Sequence, residues 1–128
     1  MAKIIIKTNK APEAIGPYSQ GVKVEKGGLI FVSGQIPINP ESGELISGPI
    51  GEETRQILKN LKAILEEAGS ELDKMVKTTV FLKNIDDFTE MNQVYSEFFQ
   101  KDPPARSTVE VSRLPKGVRI EVEAIAYF

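Results

Sequence analysis

Residues 52–68, EETRQILKNLKAILEEA, carry the clearest structural pattern in this 128-residue chain. Apolar side chains recur there at intervals of three and four residues, which places them on one face of a helix. These side chains are Ile57, Leu58, Leu61, Ile64, Leu65 and Ala68. Gly69 follows directly, and a glycine at that place commonly ends a helix. The pattern therefore predicts an amphipathic helix over residues 52–68.

The segments on either side of this helix predict strands and one further helix. Residues 87–99 form the second helix, with Asp86 or Asp87 as its N-cap. Alternating or β-branched runs predict strands at residues 3–8, 21–25, 29–33, 75–83, 105–113 and 118–127. Lys26-Gly27-Gly28 predicts a hairpin, residues 114–117 a tight connection, and residues 35–49 a long ordered loop.

This order of elements indicates an α+β fold in a single domain that spans residues 1–128. We expect a mixed sheet of about six strands with both helices on one face. The other face would carry apolar residues such as Phe81, Val109 or Ile125, depending on register. An apolar sheet face without cover predicts association with further copies of the chain, with any site lying between subunits.

Composition excludes several kinds of chemistry. The chain has no Cys and no His, so it has no thiolate nucleophile, Cys-ligated zinc, His-based metal site or Ser-His-Asp triad. The net charge of −2 gives no electrostatic reason to expect nucleic-acid or membrane binding. No apolar run approaches the ~20 residues of a membrane span, and the apolar N-terminal segment is too short for a secretory signal. We therefore expect a cytoplasmic protein.

Arg106 and two glutamates are candidates for a binding or catalytic site. Arg106 is the second residue of the predicted strand 105–113, which follows Pro103-Pro104, and Glu121 and Glu123 share one face of the next strand. A guanidinium offers a planar fork of donors that matches a carboxylate, and a carboxylate can orient water or move a proton. The same residues could equally form an ordinary cross-strand ion pair or a solvated strand face.

Four other residues have both a functional and a structural interpretation. Asn92 borders the apolar stripe of the second helix, so its amide requires a partner, either a backbone carbonyl or a ligand. Tyr18, in a Pro/Gly-rich loop, could donate to a ligand or simply pack. Ser33 and Gly34 end a strand, where glycine lets another group approach the backbone closely.

Taken in order, several short motifs resemble those of the Rid family (RidA subfamily, YjgF-like). The matching residues are Ala11-Pro12, 15–20 (IGPYSQ), 32–37 (VSGQIP), 78–82 (TTVFL), 86–88 (DDF), Asn92 with Tyr95, 104–111 (PARSTVEV), Leu114-Pro115 and 120–126 (IEVEAIA). The match runs along essentially the whole chain. The resemblance implies a chorismate-mutase-like fold, a homotrimer with clefts between subunits, and hydrolysis of reactive enamine and imine intermediates without a cofactor or metal. Its substrates would be 2-iminobutanoate and 2-iminopropanoate, and its products 2-oxo acids and ammonia.

The resemblance also implies roles for individual residues. Arg106 matches the arginine that binds the substrate carboxylate, and Glu121 the glutamate that positions the attacking water. Tyr18, Ser33, Gly34 and Asn92 match residues that line the pocket. Thr108 stands where many bacterial members have Cys, and it would contact the substrate. A binding module without catalytic activity would use the same residues, so the sequence leaves that alternative open.

Overall fold

The computed structural model describes residues 3–14, 19–24 and 28–128. The elements follow the predicted order, and their bounds differ from the predicted ones by a few residues. They are β1 (Lys3–Ile6), β2 (Gly21–Val24), β3 (Leu29–Gln35), α1 (Ile50–Glu67), β4 (Met75–Leu82), α2 (Phe88–Phe98), β5 (Ala105–Glu110) and β6 (Ile120–Tyr127). The six described strands form one mixed sheet, and both helices cover the same face of it, which confirms the predicted fold class.

The order of strands in the sheet is β1-β2-β3-β6-β4-β5. All neighbouring pairs are antiparallel except β4 and β5, which are parallel. Strands β5 and β6 are consecutive in the chain but are not paired, because β4 lies between them. Residues 114–117 therefore connect separated strands rather than closing a hairpin. Burial explains this order, since β6 is buried at every second residue and suits the centre, whereas β5 has no fully buried residue and suits an edge.

The core lies between α1 and the centre of the sheet. The apolar stripe of α1 is fully buried and packs towards β3 and β6. Side chains of the sheet that face this stripe include Ile30, Val122 and Ala126. Burying each large aliphatic side chain stabilises the fold by about 1.5–3 kcal/mol, so the helix stripe is a principal source of stability.

Two local details differ in part from the prediction. Asp87 is the N-cap residue of α2, as predicted, but its side chain makes no capping hydrogen bond. A short 3-10 turn (Ile85–Asp87) precedes the helix, and Asn84 caps that turn by accepting from the Asp86 amide at 2.9 Å. Alternation along residues 75–83 predicts that Val76, Thr78, Val80 and Leu82 share one face, but Val76 does not join the buried face of β4. The pairing of β4 with β6 shifts register between Met75 and Lys77, so Met75 is buried and Val76 is 43% exposed.

The face of the sheet opposite the helices is partly apolar, as expected. Phe81 pairs with Val109 on β5 and Phe31 pairs with Ile125 on β6, all on this face. Val109 and Phe31 are each 42% exposed in the single chain. Association of this face with further copies of the chain stays a prediction.

Buried amides hold the loops of one edge in place. Asn60 of α1 donates to the Ile38 carbonyl at 3.0 Å and accepts from Gln56 at 2.9 Å, which ties the ordered loop of residues 36–49 to the helix. Arg119 donates to the Gly48 carbonyl and forms an ion pair with the buried Glu53 carboxylate, which fixes the end of that loop.

Gln20 ties down the N-terminal segment. Its side chain is 4% exposed, accepts from the Thr8 amide at 2.7 Å and donates to the carbonyls of Thr8 and Pro12 at 3.0 and 2.6 Å. A further contact reaches the Ala11 carbonyl at 3.3 Å. One amide thereby satisfies backbone groups that would otherwise be buried without partners.

Replacing Gln20 by Met keeps the volume of the side chain and removes every one of these bonds. We expect the free energy of unfolding to fall by about 3 kcal/mol, because several buried backbone groups lose their partners at once. Urea unfolding at one fixed protein concentration measures this change. Gln93→Met, at an exposed position of α2, is the matched control and should change stability by less than about 0.5 kcal/mol. Equal stability of the two variants would contradict the proposed role of Gln20.

Candidate functional site

Arg106 is held on the helix-covered face of the edge strand β5. Its Nη1 donates to Asn92 Oδ1 of α2 at 2.8 Å. The guanidinium carbon lies 4.7 Å from the centroid of the Tyr95 ring and 5.5 Å from that of Phe88, within the range of cation–π attraction. No carboxylate of the described chain forms a salt bridge with Arg106. The charge is therefore held in place without a counterion in the described chain, which suits it to bind a small anion.

In the described chain the Asn92 oxygen accepts from Arg106, a partner that the sequence pattern did not suggest. No bond from Asn92 to a backbone carbonyl is found there, and a ligand contact stays a prediction. Because an amide oxygen is neutral, it orients the guanidinium without cancelling its charge. Asn92 thus lies in the site, where it contacts the arginine directly.

Tyr95 belongs to the same cluster, although the sequence pattern assigned it to the apolar stripe of α2. Its hydroxyl is hydrogen-bonded to the Thr78 hydroxyl at 2.8 Å, and its ring packs against Phe99 with centroids 4.6 Å apart. Burial raises the pKa of the Tyr95 phenol, while the Thr78 bond and the charge of Arg106 act in the opposite direction. The spacing of Asn92 and Tyr95, three residues apart on one helix face, was the signal available in the sequence.

Thr108 lies two residues beyond Arg106 on the same face of β5. Its hydroxyl oxygen is buried and has no hydrogen-bond partner in the described chain. A cavity of about 360 Å³ adjoins Arg106 and is bounded by Asn92, Tyr95 and Pro103-Pro104 among others. We call Arg106, Asn92, Tyr95 and Thr108 the arginine cluster.

Glu121 lies in a different place, on the sheet face that the helices leave open. It borders a cavity of about 520 Å³ whose walls include Ser33, Gly34, Ile36 and Glu123. Burial raises the pKa of the Glu121 carboxyl, and the nearby charge of Glu123 raises it further. A carboxyl with a raised pKa is suited to accept and return a proton near neutral pH. We call Ser33, Gly34 and Glu121 the glutamate cluster.

Gly34 allows a close contact with Glu121. A Cβ at this position would overlap the Glu121 carboxylate where it now lies, so a larger residue would displace the carboxylate from the backbone. The pairing of β3 with β6 also shifts register between Val32 and Gln35, which turns this segment towards the cavity. The Ser33 hydroxyl donates to the Ser19 carbonyl at 2.5 Å, so it ties down the segment after Tyr18. Tyr18 itself lies outside the described residues.

The two clusters lie on opposite faces of the sheet. Thr78 pairs with Arg106 on one side and with Ala124 on the other, so these three side chains share the helix-covered face. Glu121 is three residues from Ala124 and therefore points to the opposite face. With β4 also between their strands, Arg106 and Glu121 cannot form the cross-strand ion pair that the sequence allowed, nor can one chain bring both against one small molecule.

Within residues 3–14, 19–24 and 28–128, no group of three or more acidic side chains is placed to hold a metal ion. The two helices in this part of the chain are also too short or too polar to cross a bilayer.

Known proteins resemble this chain over nearly its full length. The family model described as Endoribonuclease L-PSP matches residues 8–128. A RutC family protein of Pyrococcus abyssi is 61% identical over 127 residues, which cover 99% of this chain and 98% of the relative. A protein of Lactococcus lactis named putative regulator AldR is 55% identical over 95% of both chains. The human protein named 2-iminobutanoate/2-iminopropanoate deaminase is 50% identical and covers 95% of this chain and 88% of its own.

Solved structures agree with these sequence matches. A putative endoribonuclease of Thermotoga maritima superimposes with a TM-score of 0.94 at 54% identity, covering 98% of this chain and 97% of its own. A Yersinia pestis protein described as a member of the conserved Rid family gives 0.93 at 50% identity, covering 99% and 100%. The motifs quoted above, the fold and these matches agree, and the chain belongs to the Endoribonuclease L-PSP family, which includes the YjgF/Rid proteins.

Proposed function

We propose that this protein is a cytoplasmic, cofactor-free deaminase that hydrolyses 2-iminobutanoate and 2-iminopropanoate to 2-oxo acids and ammonia. The observation that carries the proposal is Arg106, a fixed guanidinium with no carboxylate partner in the described chain. A 2-imino acid supplies the missing carboxylate, and a guanidinium can bind it through two parallel hydrogen bonds. The name of the human relative supports this substrate class.

The chemistry needs only water, a proton acceptor and a fixed substrate. A water molecule held by Glu121 adds to the imine carbon, a C–O bond forms, and the C=N electron pair moves to nitrogen. Glu121 accepts the proton of the water and delivers it to the nitrogen, which gives the neutral carbinolamine. Glu121 then transfers the hydroxyl proton of the carbinolamine to the nitrogen, and ammonia leaves as the C=O bond forms. Orientation of the substrate and positioning of the proton are the main contributions of the protein, and the acid–base part is typically worth ~10²–10⁴ in rate.

We propose further that the site is completed by two copies of the chain in a homotrimer. The arginine cluster and the glutamate cluster lie on opposite sheet faces, so a substrate that touches both must lie between subunits. The Thr108 hydroxyl, which has no partner among the described residues, and the apolar residues of the open face support such an interface. Closed rings of identical subunits are a common solution for such surfaces.

A binding module without catalysis is the second candidate. The name of the Lactococcus lactis relative, a putative regulator, favours it. The same clusters would then bind a 2-oxo or amino acid. An assay coupled to a pyridoxal-phosphate-dependent dehydratase separates the two functions, because semicarbazide traps the free imine and an active deaminase reduces that trapping.

Nucleic acid is not a proposed partner, since the net charge is −2 and the chain lacks His.

Arg106→Ala should lower kcat/KM in this coupled assay by about 10²-fold or more, because the carboxylate of the substrate loses a buried charged partner. Arg113→Ala, which removes the same charge at an exposed position, is the control and should leave turnover unchanged. Size-exclusion chromatography verifies that both variants keep the wild-type assembly. Normal hydrolysis by Arg106→Ala would exclude the proposed role.

Co-expression tests whether the two clusters come from different subunits. Arg106→Ala and Glu121→Gln should each be inactive alone. In a random mixture of the two chains, about a quarter of the interfaces pair an intact Arg106 with an intact Glu121, so we expect about a quarter of the wild-type activity. If both residues acted within one chain, every chain in the mixture would be defective and no activity would return.

The dependence of activity on pH tests the role of Glu121. The carboxylate must be ionised to accept a proton, so activity should fall as the pH drops through its raised pKa. Glu123→Gln removes a charge that raises the pKa of Glu121, and it should move this acidic limb to lower pH. The measurement is kcat/KM at each pH relative to wild type under the same coupled conditions. Glu66→Gln, at an exposed position of α1, serves as the control, and an identical shift in that variant would contradict the assignment.

A further inference from the structure

We propose that Tyr95, held by Thr78, is a positioning residue that sets the orientation of the Arg106 guanidinium. This inference rests on the proposed role of Arg106 in binding the substrate carboxylate. Neither Tyr95 nor Thr78 donates to the substrate in this scheme. Their effect on binding is transmitted through the arginine.

The contacts of Arg106 show why a positioning residue is required. In the described chain one hydrogen bond, from Nη1 to Asn92, holds the guanidinium, so the aromatic rings beside it supply the remaining restraint. The Tyr95 ring lies under the guanidinium, 4.7 Å from centroid to carbon, and is closer than the Phe88 ring at 5.5 Å. A ring against the guanidinium limits its rotation, and bidentate binding of a carboxylate requires that the plane of the donors keeps one orientation.

The hydroxyl of Tyr95 is fixed in turn by a bond that links the arginine to its neighbouring strand. Thr78 is fully buried, and it is the residue of β4 that pairs with Arg106 of β5. The 2.8 Å bond from Thr78 to Tyr95 therefore locks the ring relative to the strand beside the arginine. The next buried positions of β4 are Val80 and Leu82, so an apolar residue would suit position 78 equally well if packing were the only demand.

Variants at Thr78 and Tyr95 distinguish a purely structural role of their hydrogen bond from a role in positioning Arg106. Removing one hydroxyl leaves the other buried without a partner, whereas removing both leaves an apolar pair of nearly the same shape. Thr78→Val and Tyr95→Phe should therefore each lower the melting temperature, and the double variant should recover most of that loss. In the double variant the ring at position 95 would be held by packing alone, so the guanidinium would lose the restraint that the bond to β4 provides.

The experiment compares two ligands by titration calorimetry, 2-oxobutanoate and its neutral counterpart 2-oxobutanamide. We expect the wild-type protein to bind the carboxylate more tightly than the amide. In the double variant the ratio of the two dissociation constants should fall about tenfold, while the melting temperature recovers. Thr89→Val, the same substitution at an exposed position of α2, is the control and should keep the wild-type preference.

Two results would overturn the inference and are distinguishable. A double variant that recovers both stability and the full carboxylate preference would show that the Thr78–Tyr95 bond serves packing alone, and the role of Arg106 would stand. If the wild-type protein bound both ligands equally, Arg106 would not bind the substrate carboxylate. That result would contradict the proposed function together with the inference.

Discussion

The insertion of β6 between β3 and β4 is the constraint on which the remaining structure depends. Its alternate residues Ile120, Val122, Ala124 and Ala126 are buried against the helices and join the two halves of the sheet. The residues between them point to the open face, and Glu121 and Glu123 are among these. The same strand therefore provides the centre of the core and carries the carboxylates of the glutamate cluster. Successive side chains of a strand point to opposite faces of the sheet, so a strand that buries one set of residues in the core necessarily presents the other set on the open face.

The position of β5 at the edge follows from this insertion and explains the arginine cluster. An edge strand has one side free of neighbours, so Arg106 and Thr108 lie at a border where the helix α2 and open space meet. Asn92 and Tyr95 reach this border from α2. The arginine is oriented by neutral groups and aromatic rings, which preserve its charge for an external anion.

Loops fixed by buried amides support the glutamate cluster. Gln20 and Asn60 satisfy backbone carbonyls at two edges of the cavity beside Glu121, in place of regular strand pairing. A buried polar side chain lowers the stability of the fold unless its groups are hydrogen-bonded, and here most of these groups have partners. Rigid loops of this kind suit chemistry that depends mainly on orientation, as the proposed hydrolysis does.

Sequence patterns by themselves determined the helices, six strands, their order along the chain and the fold class, because periodicities of 3.6 and 2 are local properties. The family motifs identified four residues that border the two cavities. Gly34 and Glu121 border one cavity, and Asn92 and Arg106 border the other. The sequence did not reveal that β5 and β6 are separated by β4, that Asn84 caps a 3-10 turn before α2, or that Val76 lies outside the core. Those outcomes depend on strand order and register, which are set by the burial of the whole sheet. Only the tertiary structure placed Arg106 and Glu121 on opposite faces, because the face on which a side chain lies is fixed by pairing with strands distant in the chain.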